Sequence, residues 1–150
     1  AADRPQGHTP SRASALPSAI YRATPESHAI VNALPVHGTA FCVSDFPLDT
    51  RTIPESYLFL KDVHTIPFAD QFGDGETSVS KIGPKNPVAL LEHHGVLVAG
   101  RTVLDAFDRL EVLDAPAAAI LRPKTPGTVR PISAAAIDAL TPASPDHGRA

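Results

Sequence analysis

Apolar and polar positions along this chain fall into blocks whose period predicts one α/β domain. The clearest block is Leu90-Leu91-Glu92-His93-His94-Gly95-Val96-Leu97-Val98-Ala99-Gly100. Two apolar runs flank a polar pair of imidazoles and a glycine, so Val88–His93 and Val96–Ala99 are expected as strands paired about Gly95. Beyond Gly100, Val103, Ala106, Phe107, Leu110, Leu113, Ala117 and Ile120 recur at helical spacing, with Thr102 as a cap. That stripe predicts an amphipathic helix from Arg101 to Leu121.

The rest of the pattern is shorter-ranged. Ser11 to Arg22 carries Leu16, Ile20 and Tyr21 near helical spacing, but Pro17 stands against it, so a broken helix is expected. His28–Leu34 reads as a strand closed by Pro35, and Val36–Val43 as a short helix containing Cys42. Ile53–Leu60 reads as helix-like and Val63–Phe68 as a strand. Gly73-Asp74-Gly75 is a turn, Lys81–Pro87 a loop, and Ala134–Leu140 a last helix capped by Ser133. Residues 1–9 and 141–150 are polar and expected to be flexible, leaving 10–140 as the domain. Sixteen prolines are many, and Pro116 also falls inside a helical pattern, where proline costs roughly 3 kcal/mol.

Composition narrows the function classes. With 150 residues, 43% of them hydrophobic, the chain can bury a core of its own. No apolar run approaches the roughly 18 residues of a membrane helix, so no membrane span is expected. A net charge of -3 with mixed signs gives no footprint for nucleic acid. The single cysteine, Cys42, excludes an internal disulfide and fits a reducing cytoplasm; its surroundings predict a buried apolar side chain, not a nucleophile.

With these elements in place the chain resembles the class II aldolase/adducin-head family. The resemblance rests on Pro10-Ser11, Ile20-Tyr21-Arg22-Ala23-Thr24-Pro25-Glu26, the strand ending at Pro35, Ile66-Pro67-Phe68-Ala69, Leu90 to Gly100, Ala106-Phe107 and Leu110-Glu111. It implies a three-layer α/β/α fold around a mostly antiparallel sheet. It also implies a homo-oligomer with sites at subunit borders, a small anionic sugar or keto-acid ligand, and zinc or another divalent metal that stabilises an enediolate. The family's upstream Gly-Asn-x-Ser loop would precede residue 1, so the matched region is expected to lack the domain's N-terminal part and to leave a sheet edge exposed or covered by a partner.

The resemblance also implies a ligand set, which this chain largely lacks. The family's His-x-His pair falls on Asn32 and Leu34, and its metal-binding or basic glutamate falls on Ala13. His94 is left as the metal ligand and Ser11 as the substrate-binding serine, with Arg12 beside it. An amide oxygen from Asn32 is a weak zinc donor. His28 lies about 13 Å from position 32 along an extended strand, too far to share an ion. His37 could turn back past Pro35, His64 belongs to another segment, and His93 should point away from His94. Without partners, His94 is expected to bond to backbone or to a carboxylate such as Glu92.

Asp105, Asp108, Glu111 and Asp114 read as the solvated face of the long helix. These residues predict a degenerate domain without metal-dependent aldol activity, no resident cofactor, and a role in binding or assembly. The alternatives are a divergent lyase, epimerase or decarboxylase acting through a rebuilt metal site on small sugar phosphates or keto acids, or a chain with no selected activity.

Overall fold

A computed structural model of the chain describes residues 11–72, 75–122 and 128–140. The expected flexible segments 1–9 and 141–150, and most of the Gly73-Asp74-Gly75 turn, lie outside these residues. Four strands form one sheet: β1 (Ala29–Ala33), β2 (His64–Ile66), β3 (Val88–Leu91) and β4 (Val96–Gly100), in the order β1-β4-β3-β2. β1 and β3 each pair antiparallel with β4, and β2 pairs parallel with β3. The sheet is therefore mixed, with antiparallel pairing dominant.

Side-chain alternation along the two central strands builds the layers. Val88, Leu90, Val96 and Val98 face one side, where they join Ala106, Leu113 and Ala117 of the long helix α5 (Val103–Leu121) together with Phe41, Cys42 and Leu60. Ala89, Leu91, Leu97 and Ala99 face the other, against Leu16 and Ile20 of α1 (Ala15–Ala23) and Ile82. Both faces of β3 and β4 are buried, which explains why these strands read as continuous apolar runs. Two apolar clusters, one on each face, give the α/β/α sandwich.

Two prolines behave differently from expectation. Pro17 does not break α1: it is the third residue of the helix, where a backbone N–H would have no helical acceptor. Pro116 lies well inside α5, which runs on to Leu121. Its ring is almost wholly buried among the residues facing the sheet, and that burial offsets the lost helical bond.

Three shorter helices complete the first layer: α2 (Gly38–Cys42), α3 (Pro54–Leu60) and α6 (Ala134–Leu140). Pro54 opens α3 at the position proline favours. One short helix, α4 (Glu76–Val79), carries no periodic signal in the sequence and packs near α1.

Candidate functional site

His94 sits in the tight connection between β3 and β4, held by Leu91 N–H donating to Gly95 O (2.7 Å) and His94 N–H to Leu91 O (3.0 Å). Gly95 decides what comes near it. A Cβ at this position would lie 2.5 Å from Ala33 O, so only glycine lets the end of β1 approach this closely. The approach brings Asn32 to the same small cavity as His94. Gln71 completes its polar side, with Ala13, at the entry to α1, and Leu91 and Leu97 as apolar walls.

The cavity measures about 10 Å³, space for roughly one water molecule. The structure thus brings together three positions that the sequence connected only through the family frame: Ala13, Asn32 and His94. Leu34 does not join them; it is 67% exposed at the end of β1.

The partner of His94 differs from expectation. Glu92 does not hold it, because Glu92 Oε2 accepts from the Phe68 N–H at 2.7 Å. Instead, Gln71 Oε1 lies 3.3 Å from His94 Nδ1. Gln71 Nε2 donates to the carbonyls of Glu92 (2.8 Å) and Ile66 (3.4 Å), which orients the amide and presents its oxygen to the ring. An amide oxygen only accepts, so this contact calls for a proton on Nδ1. Gln71 is 4% exposed. No motif marks it in the sequence; a buried glutamine becomes visible only when its two carbonyl partners are placed.

The remaining histidines among the described residues are scattered. His37, a possible replacement ligand, is taken up by Asp114: its Nδ1 lies 2.8 Å from Oδ2, while the His37 and Gly38 N–H groups both donate to Oδ1 at 2.8 Å. Asp114 therefore caps α2 from α5 and is no solvated surface group. Burial alone would raise its carboxyl pKa. Hydrogen bonds from the His37 side chain and from the Gly38 and His37 N–H groups, with the His37 charge, outweigh that effect and hold it below the usual range.

Asp105 also departs from the solvated-face expectation, since it accepts from Arg101 N–H and from Arg109 Nε. Asp108 and Glu111 are exposed, as expected. His64 lies beside Asn86 Nδ2 (3.3 Å), and His93 adopts φ 54° and meets the Phe68 ring edge-on at 6.3 Å. His28 is exposed before β1.

Ser11 is exposed and its Oγ accepts from Ala13 N–H at 3.2 Å, capping the short turn before α1. It does not line the cavity at His94. Among the described residues, no three His, Cys, Asp or Glu side chains converge in a way that could hold a metal ion. One imidazole with two amides is a donor set poorly suited to zinc, which favours imidazole, thiolate and carboxylate. No helix among the described residues is long and apolar enough to cross a membrane.

Known proteins fit this frame. The family model for the Class II Aldolase and Adducin N-terminal domain matches residues 2–121. An L-fuculose phosphate aldolase from Methanococcus vannielii is 32% identical over 95 residues, covering 63% of this chain and 51% of that protein. The chain thus spans about half the length of this curated relative. Among solved structures, YgbL from Klebsiella pneumoniae superposes with a TM-score of 0.74 at 24% identity, covering 89% of this chain and 67% of that one. The L-fuculose 1-phosphate aldolase from Glaciozyma antarctica PI12 does so with a TM-score of 0.67 at 25% identity, covering 84% and 48% respectively.

Proposed function

The chain belongs to the class II aldolase and adducin N-terminal domain family, and from that premise we propose that it is a degenerate member which binds or assembles without metal-dependent aldol chemistry. The observation that carries this reading is the composition of the His94 cavity. The family frame places metal-binding side chains at positions 13, 32 and 34, and here these are Ala13, Asn32 and the exposed Leu34. The remaining imidazole is engaged by Gln71. No resident cofactor is expected from such a set, and residues 10–140 act as the unit that retains the fold.

Assembly is supported by exposed apolar side chains, of which Phe68 meets the His93 ring and Phe72 lines the His94 cavity. Val36 is 83% exposed, Phe46 59%, and Phe68 and Phe72 48% each. Such residues point to a homo-oligomer as the working form, with the turn near its contact surface.

Metal analysis of the purified protein tests the reading directly. After incubation with excess zinc and desalting, well under one equivalent should remain, and His94→Ala should retain the same amount. A stoichiometric ion that is lost in His94→Ala would overturn the proposal. Light scattering tests the assembly half, where a strictly monomeric chain would count against it.

The rival reading is an active lyase, epimerase or decarboxylase with a rebuilt site. It draws on the 32% identity to an L-fuculose phosphate aldolase and on the meeting of His94, Gln71 and Asn32 at one cavity. Chelator-sensitive cleavage of L-fuculose 1-phosphate or a related small sugar phosphate would establish it.

A further inference from the structure

A second, roomier concavity lies at the other end of β4 from His94. Gly100 ends that strand, and a Cβ there would stand 2.7 Å from Ala106 N, so α5 presses directly on the strand end. The turn at Glu26-Ser27 and the loop at Gly83-Pro84-Lys85 rise on either side, and Arg101 and Arg109 face the same space. The resulting cleft holds about 400 Å³, within the usual span of about 300–1,000 Å³ for small-molecule sites. It shares no lining residue with the His94 cavity.

The geometry points to a binding site here for a small hydroxylated organic anion, its single phosphate or carboxylate group met by Arg109, Arg101 and Lys85. Arg109 is the built part of the site. Its side chain is only 9% exposed, Nε donates to Asp105 Oδ1 at 3.1 Å, and Nη1 donates to Phe59 O at 3.1 Å. Nη2 is left without a partner among the described residues. Asp105 is committed to holding this guanidinium and to accepting from Arg101 N–H at 2.8 Å, so its charge is largely answered within the protein.

Ser27 is the second built element: it is 8% exposed, lines the cleft, and its hydroxyl has no partner among the described residues. Lys85 and Arg101 are exposed at the rim and enter no ion pair among those residues. Three cations thus face two carboxylates, Asp105 and Glu26, in a chain whose net charge is -3.

That balance sets the ligand class. A guanidinium with a free Nη2, an ammonium and an accessible hydroxyl on a largely buried serine are the donors an oxyanion requires. Glu26 at the rim disfavours a second negative group and can accept from a hydroxyl. The cleft is also much larger than a bare oxyanion needs, so the anion should carry an organic body against Pro84 and Ala99. This inference does not depend on whether the His94 cavity is inactive.

Calorimetric titration of the full chain tests it, with glycerol 3-phosphate, glycerate, inorganic phosphate and glycerol as probes. Glycerol 3-phosphate or glycerate should saturate, and whichever binds tighter names the head group; inorganic phosphate should bind more weakly and glycerol not at all. Lys85→Ala combined with Arg101→Ala touches only exposed side chains and should weaken binding about tenfold or more, while leaving the melting temperature near that of the parent. Ser27→Ala should weaken it further, and His94→Ala should leave it unchanged. The proposal is overturned if neither organic anion saturates by about 10 mM, if the double variant binds as tightly as the parent, or if His94→Ala abolishes binding.

Discussion

Replacing Asp114 with alanine should loosen the packing of α2 against α5, and the structure sets the size of the effect. Asp114 Oδ1 accepts from two N–H groups at the start of α2, and Oδ2 faces His37 Nδ1, all at 2.8 Å. Losing an N-cap acceptor costs about 0.5–2 kcal/mol. A second N–H and a charge-assisted contact are lost as well, each worth about 1.5–3 kcal/mol when shielded. The Asp114 side chain is 28% exposed, so water recovers part of that loss, and a total of about 2–3 kcal/mol is expected. For a domain of this size the melting temperature should fall by about 5–10 °C.

The pH dependence of this effect has a definite sign. The folded carboxyl pKa lies below its ordinary value. Its contribution is therefore complete above the unfolded pKa of about 3.9 and is lost as pH falls through the folded value. Urea unfolding at pH 7 and again near pH 3 should show a gap between parent and Asp114→Ala that is wide in the first case and narrow in the second. A variant within about 0.5 kcal/mol of the parent at pH 7 would refute the capping role, as would a gap that does not shrink in acid.

Other residues give sharper single tests. Gly95→Ala should lower stability by about 1–3 kcal/mol, because the new methyl meets Ala33 O and must push β1 from the turn; an unchanged melting temperature would contradict that close approach. Arg109→Met keeps the aliphatic stem but strands Asp105 and Phe59 O, and about 2–3 kcal/mol should be lost in urea unfolding, without rescue by Arg109→Lys. Burial pushes the Cys42 thiol up to about 11, a rise only partly offset by the Leu91 N–H. A colorimetric thiol reagent at pH 8 should therefore react only on unfolding, with roughly one thiol in a thousand ionised in the fold; rapid labelling of native protein would refute this.

How much of this could be read from the chain depended on how local the cause was. β3 and β4 are apolar on both faces because both faces are covered, so the Leu90–Gly100 segment declared itself. The parallel pairing of β2 did not, since only Ile66 of its three residues is buried. Pro17 reads as a breaker only in a helix that starts at Ser11; α1 starts at Ala15, and at its third position proline is compatible with the helix. Asp114 looked like surface because its partners at His37 and Gly38 lie 77 and 76 residues away in sequence. Gln71 had no local signature at all. Contacts that reach across the fold leave little trace in periodicity, and the polar ones here did most to shape the candidate site.

Fold and donor set are separable in this chain for a physical reason. The core is carried by residues such as Leu90, Leu97, Val98 and Leu113, all 4% exposed or less, and these satisfy both faces of the sheet. Asn32 and Leu34 stand at an exposed strand end, and Ala13 at the entry to α1. Side chains there contribute little apolar burial, so exchanging imidazole or carboxylate for amide, leucine or alanine costs the fold little. His94 is different: it sits in the hairpin that aligns β3 with β4, and Gln71 ties it to the carbonyls of Glu92 and Ile66. A histidine with such a partner is held in place by the fold whether or not it meets a metal. Its presence alone is therefore weak evidence for chemistry, and the proposed loss of aldol activity rests instead on the identities at 13, 32 and 34.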